Sequence, residues 1–219
     1  MTRLINFNSF ERKILEESSN LCTSVISIIE NFIYSKIIET TISKCKAEYI
    51  LRYNKRHGEY KEWYENGQLR LHSNWKDGKF EGEYKRWWMN GVLACHGFYK
   101  YGEEEGKWRE WYKNGQLYRE FFFKDGKLEG ECREWYVSGR LKLECNYKDG
   151  KFEGECREWY ENGQLYKQCV YKDGKLNGEY KEWYDNGQLE KECTYKDGKR
   201  ERDWKIWNIE GVLIFHSEG

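Results

Sequence analysis

The stretch KEWYENGQL occupies residues 61–69, returns as REWYENGQL at 157–165 and again as KEWYDNGQL at 181–189. A catalytic motif is needed once, whereas a motif rewritten at fixed spacing marks a structural unit whose copies stack. The spacing is 24 residues with no insertion or deletion: Trp63, Trp87, Trp111, Trp135, Trp159, Trp183 and Trp207 are each followed six residues later by a Leu. Gly58, Gly82, Gly106, Gly130, Gly154 and Gly178 open six units, and the seventh has Arg202 at that place.

Each unit carries two turn signals. One is Asn-Gly at 66–67, 90–91, 114–115, 162–163 and 186–187, varied as Ser138-Gly139 and Glu210-Gly211. The other is Asp-Gly at 77–78, 125–126, 149–150, 173–174 and 197–198, varied as Tyr101-Gly102. Both dipeptides favour the type I′ hairpin turn, so both are expected to be tight two-residue loops. The predicted fold is mainly β: an elongated single-layer antiparallel meander of seven 24-residue hairpins, about fourteen strands. The composition agrees, with 18% aromatic residues, 21 Gly and no Pro, because Pro cannot donate to a ladder.

A two-residue loop at Asn66-Gly67 would pair Tyr64 with Leu69 and Tyr60 with Ser73. The Asp77-Gly78 loop would pair Trp75 with Phe80 and Ser73 with Gly82. One face then carries positions 60, 64, 69, 73, 75 and 80, mostly Tyr, Trp, Leu, Cys and Phe, and is assigned to the core. The other carries Lys61, Trp63, Gln68, Arg70, His72 and Asn74. Residues 1–50 differ: Leu21, Val25, Ile29, Phe32, Ile33, Ile37 and Ile38 recur at helical spacing. A short α-helical N-terminal segment, 1–50, is expected to cap the array of 51–219 or to act as a docking segment. Leu21–Ile33 is too short and polar to span a bilayer, and no signal peptide is evident, so a cytoplasmic protein is expected.

The run GEYKEWYENGQL followed by YKDGKLxG resembles the MORN-repeat family, and most closely the variant repeat of bacterial antitoxin-type proteins and giant-virus proteins. The likeness spans roughly residues 55–217. It implies a twisted antiparallel sheet used for protein contact, with anionic lipid as a second kind of partner, and no catalytic residue. If the chain is viral, the compartment would be the host cytoplasm. Gly58, Trp63, Tyr64 and Leu69 and their equivalents are the motif positions. Trp88 and Asn208 depart at the Tyr position.

The most function-like feature is a basic column two residues before each Trp: Lys61, Lys85, Arg109, Arg133, Arg157, Lys181 and Lys205. With the Trp column it forms a candidate docking surface, since Trp and Arg are favoured anchors. Mutual packing and pairing with flanking Glu such as Glu59 is the structural alternative. Net charge is zero, 38 basic against 38 acidic groups, so no nucleic-acid partner is expected. Cys132 is expected opposite Cys145 and Cys156 opposite Cys169, the two pairs about 10 Å apart, too far for one zinc; they read as small buried thiols. His72, His96 and His216 share a column without a repeated catalytic partner. The expected function is that of a non-catalytic scaffold or adaptor, with no cofactor. Its partner would be a protein, and a face-to-face dimer is one way to cover the apolar face. Lipid association, an antitoxin-like role and an N-terminal docking box are the alternatives.

Overall fold

The computed structural model describes residues 34–40 and 46–217. They are strands and turns, and among them no helix is long and apolar enough to cross a membrane. The strands in chain order are β1 (Tyr34–Thr40), β2 (Lys46–Arg52), β3 (Lys55–Trp63), β4 (Leu69–Lys76), β5 (Lys79–Trp87), β6 (Leu93–Lys100), β7 (Glu103–Trp111) and β8 (Leu117–Lys124). There follow β9 (Lys127–Leu128), β10 (Gly130–Trp135), β11 (Leu141–Lys148), β12 (Lys151–Phe152), β13 (Gly154–Trp159) and β14 (Leu165–Lys172). The last four are β15 (Lys175–Trp183), β16 (Leu189–Lys196), β17 (Lys199–Trp207) and β18 (Leu213–Ser217). Two compact units result, Met1–Leu93 with Phe98–Glu103, and Ala94–Gly97 with Glu104–Gly219. In the first, β1 to β5 pair in sequence as an antiparallel meander. In the second, β7 to β18 do the same, with β9 and β12 as short outer pieces of interrupted strands.

The seven hairpins stand where the period places them. The two turn types, however, are not alike. At the Asp-Gly turns both residues have positive φ, 51° and 86° at Asp77-Gly78, the type I′ geometry expected. At the Asn-Gly turns only Gly is left-handed, as at Gly67 (φ 83°). There the Gly67 amide donates to Tyr64 O at 2.9 Å and the Tyr64 amide to Gln68 O at 2.8 Å. This is a three-residue loop, a type I turn closed by a left-handed Gly, not the two-residue I′ turn the sequence suggested. Asn66 stays out of the left-handed region because its side chain is occupied: Oδ1 accepts the Gln68 amide at 3.1 Å.

Register follows from this. Trp63 pairs with Leu69, Glu62 with Leu71 and Tyr60 with Ser73. Trp75 pairs with Phe80 as expected, but Ser73 pairs with Tyr84 and not Gly82. The shift is absorbed at Gly82, which has φ 89°. The Gly that opens each unit is therefore a bulge residue, and its role is conformational.

The N-terminal expectation is corrected where it can be seen. Tyr34–Thr40 and Lys46–Arg52 are strands, not helix; residues 1–33 lie outside the described part. The β2–β3 turn is Tyr53-Asn54 (φ 50° and 60°), one period before Asp77-Gly78. It is a partial eighth repeat whose turn lacks Gly, so the periodic pattern did not disclose it. Its alternation is a strand's: Ala47 is buried and Tyr49 stacks on Tyr60, with ring centres 5.7 Å apart.

The buried spine runs through the Tyr60 and Ser73 columns. In the first unit Ala47, Tyr60 and Ser73 are buried; in the second Ala94, Trp108, Phe121, Cys132, Cys145, Cys156, Cys169 and Cys193 are. At several places along it a small residue meets a large one. Ser73 meets Tyr84, Cys169 meets Tyr180 and Cys193 meets Trp204. Buried Ser73 accepts a hydrogen bond from Trp75 Nε1 at 3.0 Å, so its hydroxyl is satisfied. Beside the spine, aromatic rings meet: Trp75 and Phe80 are tilted with centres 3.9 Å apart, and Tyr147 and Phe152 stack at 4.6 Å.

Gly97 shows how tight the fit is. A methyl placed there would lie 2.1 Å from Trp108 Cδ2. Gly97→Ala is expected to lower stability by about 1–3 kcal/mol through overpacking, measured by denaturant melting. A melt unchanged from the parent would show that the Trp108 ring does not seat on Gly97.

Candidate functional site

The register sets the predicted docking residues on the same face of each repeat. Lys46 lies opposite Trp63 and Glu48 opposite Lys61, while Ala47 and Tyr49 alternate to the buried side. Trp63, Trp87, Trp111, Trp135, Trp159, Trp183 and Trp207 are all half-buried. Lys46 Nζ sits 4.9 Å from the centre of the Trp63 ring, a cation–π contact.

Six members of the basic column are engaged with carboxylates on their own face. Lys61 Nζ lies 2.8 Å from Glu59, and Lys85 lies 2.7 Å from Glu83. Arg109 Nε donates to Glu120 at 2.7 Å, and Lys107 joins the same carboxylate at 2.8 Å. Arg133 pairs with Glu144 at 2.9 Å and Glu131 at 3.3 Å. Arg157 pairs with Glu155 at 2.7 Å, and Lys181 with Glu179 and Glu192. His72 and His216 join the pattern through Glu59 (2.9 Å) and Asp203 (3.0 Å). Each is a polar contact within the face. The ladder is thus an alternating-charge lattice rather than a positive stripe. A shallow groove on it, about 210 Å³, is lined by Glu131, Glu144, Asn146, Glu155 and Arg157, smaller and more polar than an ordinary small-molecule site.

Charge pairing sets the titration of this face. For Glu120, burial works against the charged form, but hydrogen bonds from Lys107 and Arg109 outweigh it and hold the carboxyl below its ordinary value. Glu59 is lowered chiefly by its hydrogen bond to Lys61.

Position 64 is where the expected core face fails. The Tyr64 ring lies beside Arg70 (5.8 Å), Tyr112 beside Tyr118 (5.0 Å) and Tyr160 beside Tyr166 (5.0 Å), so these rings stand outside the buried spine. The three-residue loop causes the displacement. It also sets the Tyr hydroxyl against the next repeat. Tyr64 Oη donates to Trp87 O at 2.8 Å, Tyr112 to Trp135 O at 2.8 Å, Tyr136 to Trp159 O at 2.7 Å, Tyr160 to Trp183 O at 2.9 Å and Tyr184 to Trp207 O at 3.0 Å. Asn66 adds a second contact, Nδ2 to Met89 O at 3.0 Å, repeated by Asn162 and Asn186. Where Ser138 replaces Asn, Arg140 reaches Glu161 O at 2.7 Å instead. The Trp backbone is therefore a structural acceptor, and the Trp ring takes no part in this latch. Sequence reasoning counted Tyr64 as a motif and core position and missed its hydroxyl as the latch to the next repeat.

A family model described as MORN repeat variant matches residues 56–77, 104–125, 128–149, 152–173 and 176–197. The chain belongs to the MORN repeat variant family. MORN repeats associate with proteins or membrane lipids. The unmatched second and seventh repeats are those with Trp88 and Asn208 at the Tyr position. No curated protein matches the sequence. Among solved structures, a point mutant of S. aureus TarM in complex with fondaparinux, alpha-GlcNAc-glycerol and UDP is 12% identical over 78% of this chain and 27% of that one, with TM-score 0.24. A crystal structure of TarM is 13% identical over 77% and 27%, with TM-score 0.22. The chain thus spans about a quarter of the length of either, and likeness at that level carries no weight for fold or function.

Among the described residues no group of three or more His, Cys, Asp or Glu is arranged to hold a metal ion.

Two outcomes are expected of this geometry. Tyr136→Phe should cost about 0.5–1.5 kcal/mol, the net worth of one hydrogen bond, in a thermal or denaturant melt. Because the folded-state value of Glu120 is depressed, its contribution is present above the unfolded carboxylate value near ~4.3 and is lost as pH falls through the lower folded value. Melts of Glu120→Gln between neutral pH and that acid range should therefore fall less steeply with acid than those of the parent. Parallel curves would remove Glu120 from the acid response.

Proposed function

We propose that this chain is a non-catalytic scaffold that binds a protein through the Trp column of its repeats. The observation that supports this reading is a half-buried Trp ring on the same face of all seven repeats, set in an internally neutralised charge lattice. A Trp ring bordered by paired charges resembles an interface anchor with a polar rim. The arginines and lysines at 61, 85, 109, 133, 157 and 181 act here as orienting partners within the lattice. A membrane surface asks for uncompensated basic groups, each worth about 1 kcal/mol near anionic lipid. On this face the carboxylates at 59, 83, 120, 144, 155 and 179 occupy those groups, which favours protein over lipid.

The test is paired capture from lysate with the full chain and with Trp135→Ala and Trp159→Ala. Each variant should retain the parent's circular dichroism and lose at least about tenfold in recovery of a partner, as removal of one hot-spot anchor of ≥ ~2 kcal/mol predicts. Unfolding of both variants would place the Trp rings in the core and end the reading. A partner recovered equally by parent and variants would do so as well. Sedimentation with anionic vesicles, if it matched capture in its dependence on the Trp residues, would transfer the function to lipid.

A further inference from the structure

The buried face carries a feature that the docking reading does not use. Cys132 lies directly opposite Cys145 on β10 and β11, and Cys156 directly opposite Cys169 on β13 and β14. The two pairs are not separate. The register that matches Glu144 with Arg157 brings Cys145 against Cys156, and their thiols hydrogen bond. Four thiols on four consecutive strands thus form one continuous row, where the sequence had suggested two pairs apart. All four are reduced and buried.

Their cover is one side chain thick. Among the described residues no second layer lies on this face. Arg119 lies beside Cys132, Tyr147 flanks Cys145, Lys167 stands beside Cys169 and Cys156, and Tyr171 contacts Cys169. These are long, half-buried side chains, of the kind whose rotamers exchange fast where they meet solvent. Two of them are cations, Arg119 paired to Glu134 at 3.3 Å and Lys167 paired to Glu158. A cation beside a thiol favours thiolate, the reactive form. The row is polarised accordingly. A hydrogen bond from Cys145, and then Arg119, pulls Cys132 down to about 7. Hydrogen bonds from Cys145 and Cys169 pull Cys156 down as well, while Cys145 and Cys169 are pushed up. A cation thus stands beside Cys132 in one pair and beside both Cys156 and Cys169 in the other.

We propose that this row is a peroxide-reactive site, in which hydroperoxides oxidise Cys132–Cys145 and Cys156–Cys169 to two cross-strand disulfides. The Cys132 thiolate attacks the distal oxygen of a hydroperoxide. The O–O bond breaks, alcohol or water leaves after taking a proton, and Cys132 becomes a sulfenic acid. Cys145 then attacks the sulfenic sulfur, the S–S bond forms, and the hydroxyl departs as water with the Cys145 proton. Two thiols and one hydroperoxide yield one disulfide, one alcohol or water from the peroxide, and one water. Cys156 and Cys169 repeat the sequence. Directly opposed residues of an antiparallel pair have Cα atoms about 4.5–5.5 Å apart, inside the range of about 4.4–6.8 Å that a disulfide spans. The bridges need no strand displacement.

The chain contains its own reference. Cys193 is buried on the same face but lies opposite Tyr180 and Trp204, with no cysteine facing it. The experiment exposes the reduced full chain to graded hydrogen peroxide at neutral pH, blocks the remaining thiols, and maps peptides without reduction. The expected result is Cys132–Cys145 and Cys156–Cys169 links, with Cys193 still alkylatable. Arg119→Gln should slow the Cys132–Cys145 link several-fold and leave the Cys156–Cys169 rate unchanged. Cys145→Ser should stop Cys132 at a sulfenic acid that dimedone traps. Oxidation of Cys193 at the same rate as the row would overturn the proposal. So would passage of Cys132 to the sulfinic acid without a link in the parent chain. Should either variant fail the circular-dichroism check for folding, the parent map decides alone.

Discussion

The interaction on which the rest depends is the hydrogen bond each repeat makes with the next at its turns. A meander already pairs its strands, but strand pairing alone leaves turns as mobile tips. Here both turns are tied. The Asn-Gly loop sends a Tyr hydroxyl and an Asn amide to carbonyls of the following repeat. The Asp-Gly loop sends its Gly amide back to the preceding repeat, as from Gly150 to Leu128 O at 2.8 Å, and its Asp amide to a side chain there, as from Asp149 to Glu129 at 2.9 Å. These contacts recur 20 to 23 residues apart in sequence, so one insertion within a unit would break them on both sides. The invariant 24-residue period follows from that geometry.

Such bonding explains how a sheet with so small a dry core holds together. Among the described residues, small spine residues and a few rings are the fully buried ones. Hydrophobic burial, at roughly 25 cal/mol per Å², is limited to one face and one row of side chains. Stability must come from many nearest-neighbour terms of about 1 kcal/mol each, the arithmetic of a linear repeat array. Core volume is also settled locally. Tyr60 with Ser73, Trp108 with Phe121 and Cys132 with Cys145 fill equivalent places with different sizes, since each contacts only its neighbours.

Much of this was legible in the sequence because the period forces it. Seven hairpins, the Tyr60–Ser73 and Cys132–Cys145 pairings and the Trp63 and Lys61 columns on one face of the repeat all follow from counting. The misses have physical causes. Asn-Gly reads as a type I′ turn, but an Asn whose Oδ1 is bound to the residue two ahead prefers the three-residue loop, and that choice moved Tyr64 off the core. The bulge at Gly82 was hidden because a Gly that opens a unit and a Gly that breaks a ladder look the same. The strands at 34–40 and 46–52 were missed because Tyr53-Asn54 adopts left-handed geometry without Gly, and because Ile37 and Ile38 fit a helical spacing as well as a β-branched strand. The contiguity of the thiol row required knowing that β11 faces β13 in register, which no single repeat states.

The two faces of each repeat can vary independently, and this bears on how such a chain acquires specificity. The turn bonds use backbone carbonyls as acceptors, so the identity of Met89, Asp185 or Ile209 at the receiving loop is immaterial to the latch. Spine residues answer to volume. Residues of the Trp face answer to charge balance, and that balance is met by different partners from repeat to repeat: Glu59 in one, Glu120 in another, Glu144 and Glu131 in a third. Rewriting the carboxylate positions alters the charge pattern presented around a constant Trp without touching either the latch or the spine. On the docking function proposed above, the carboxylate that holds each cation would set specificity, around a Trp column common to all repeats.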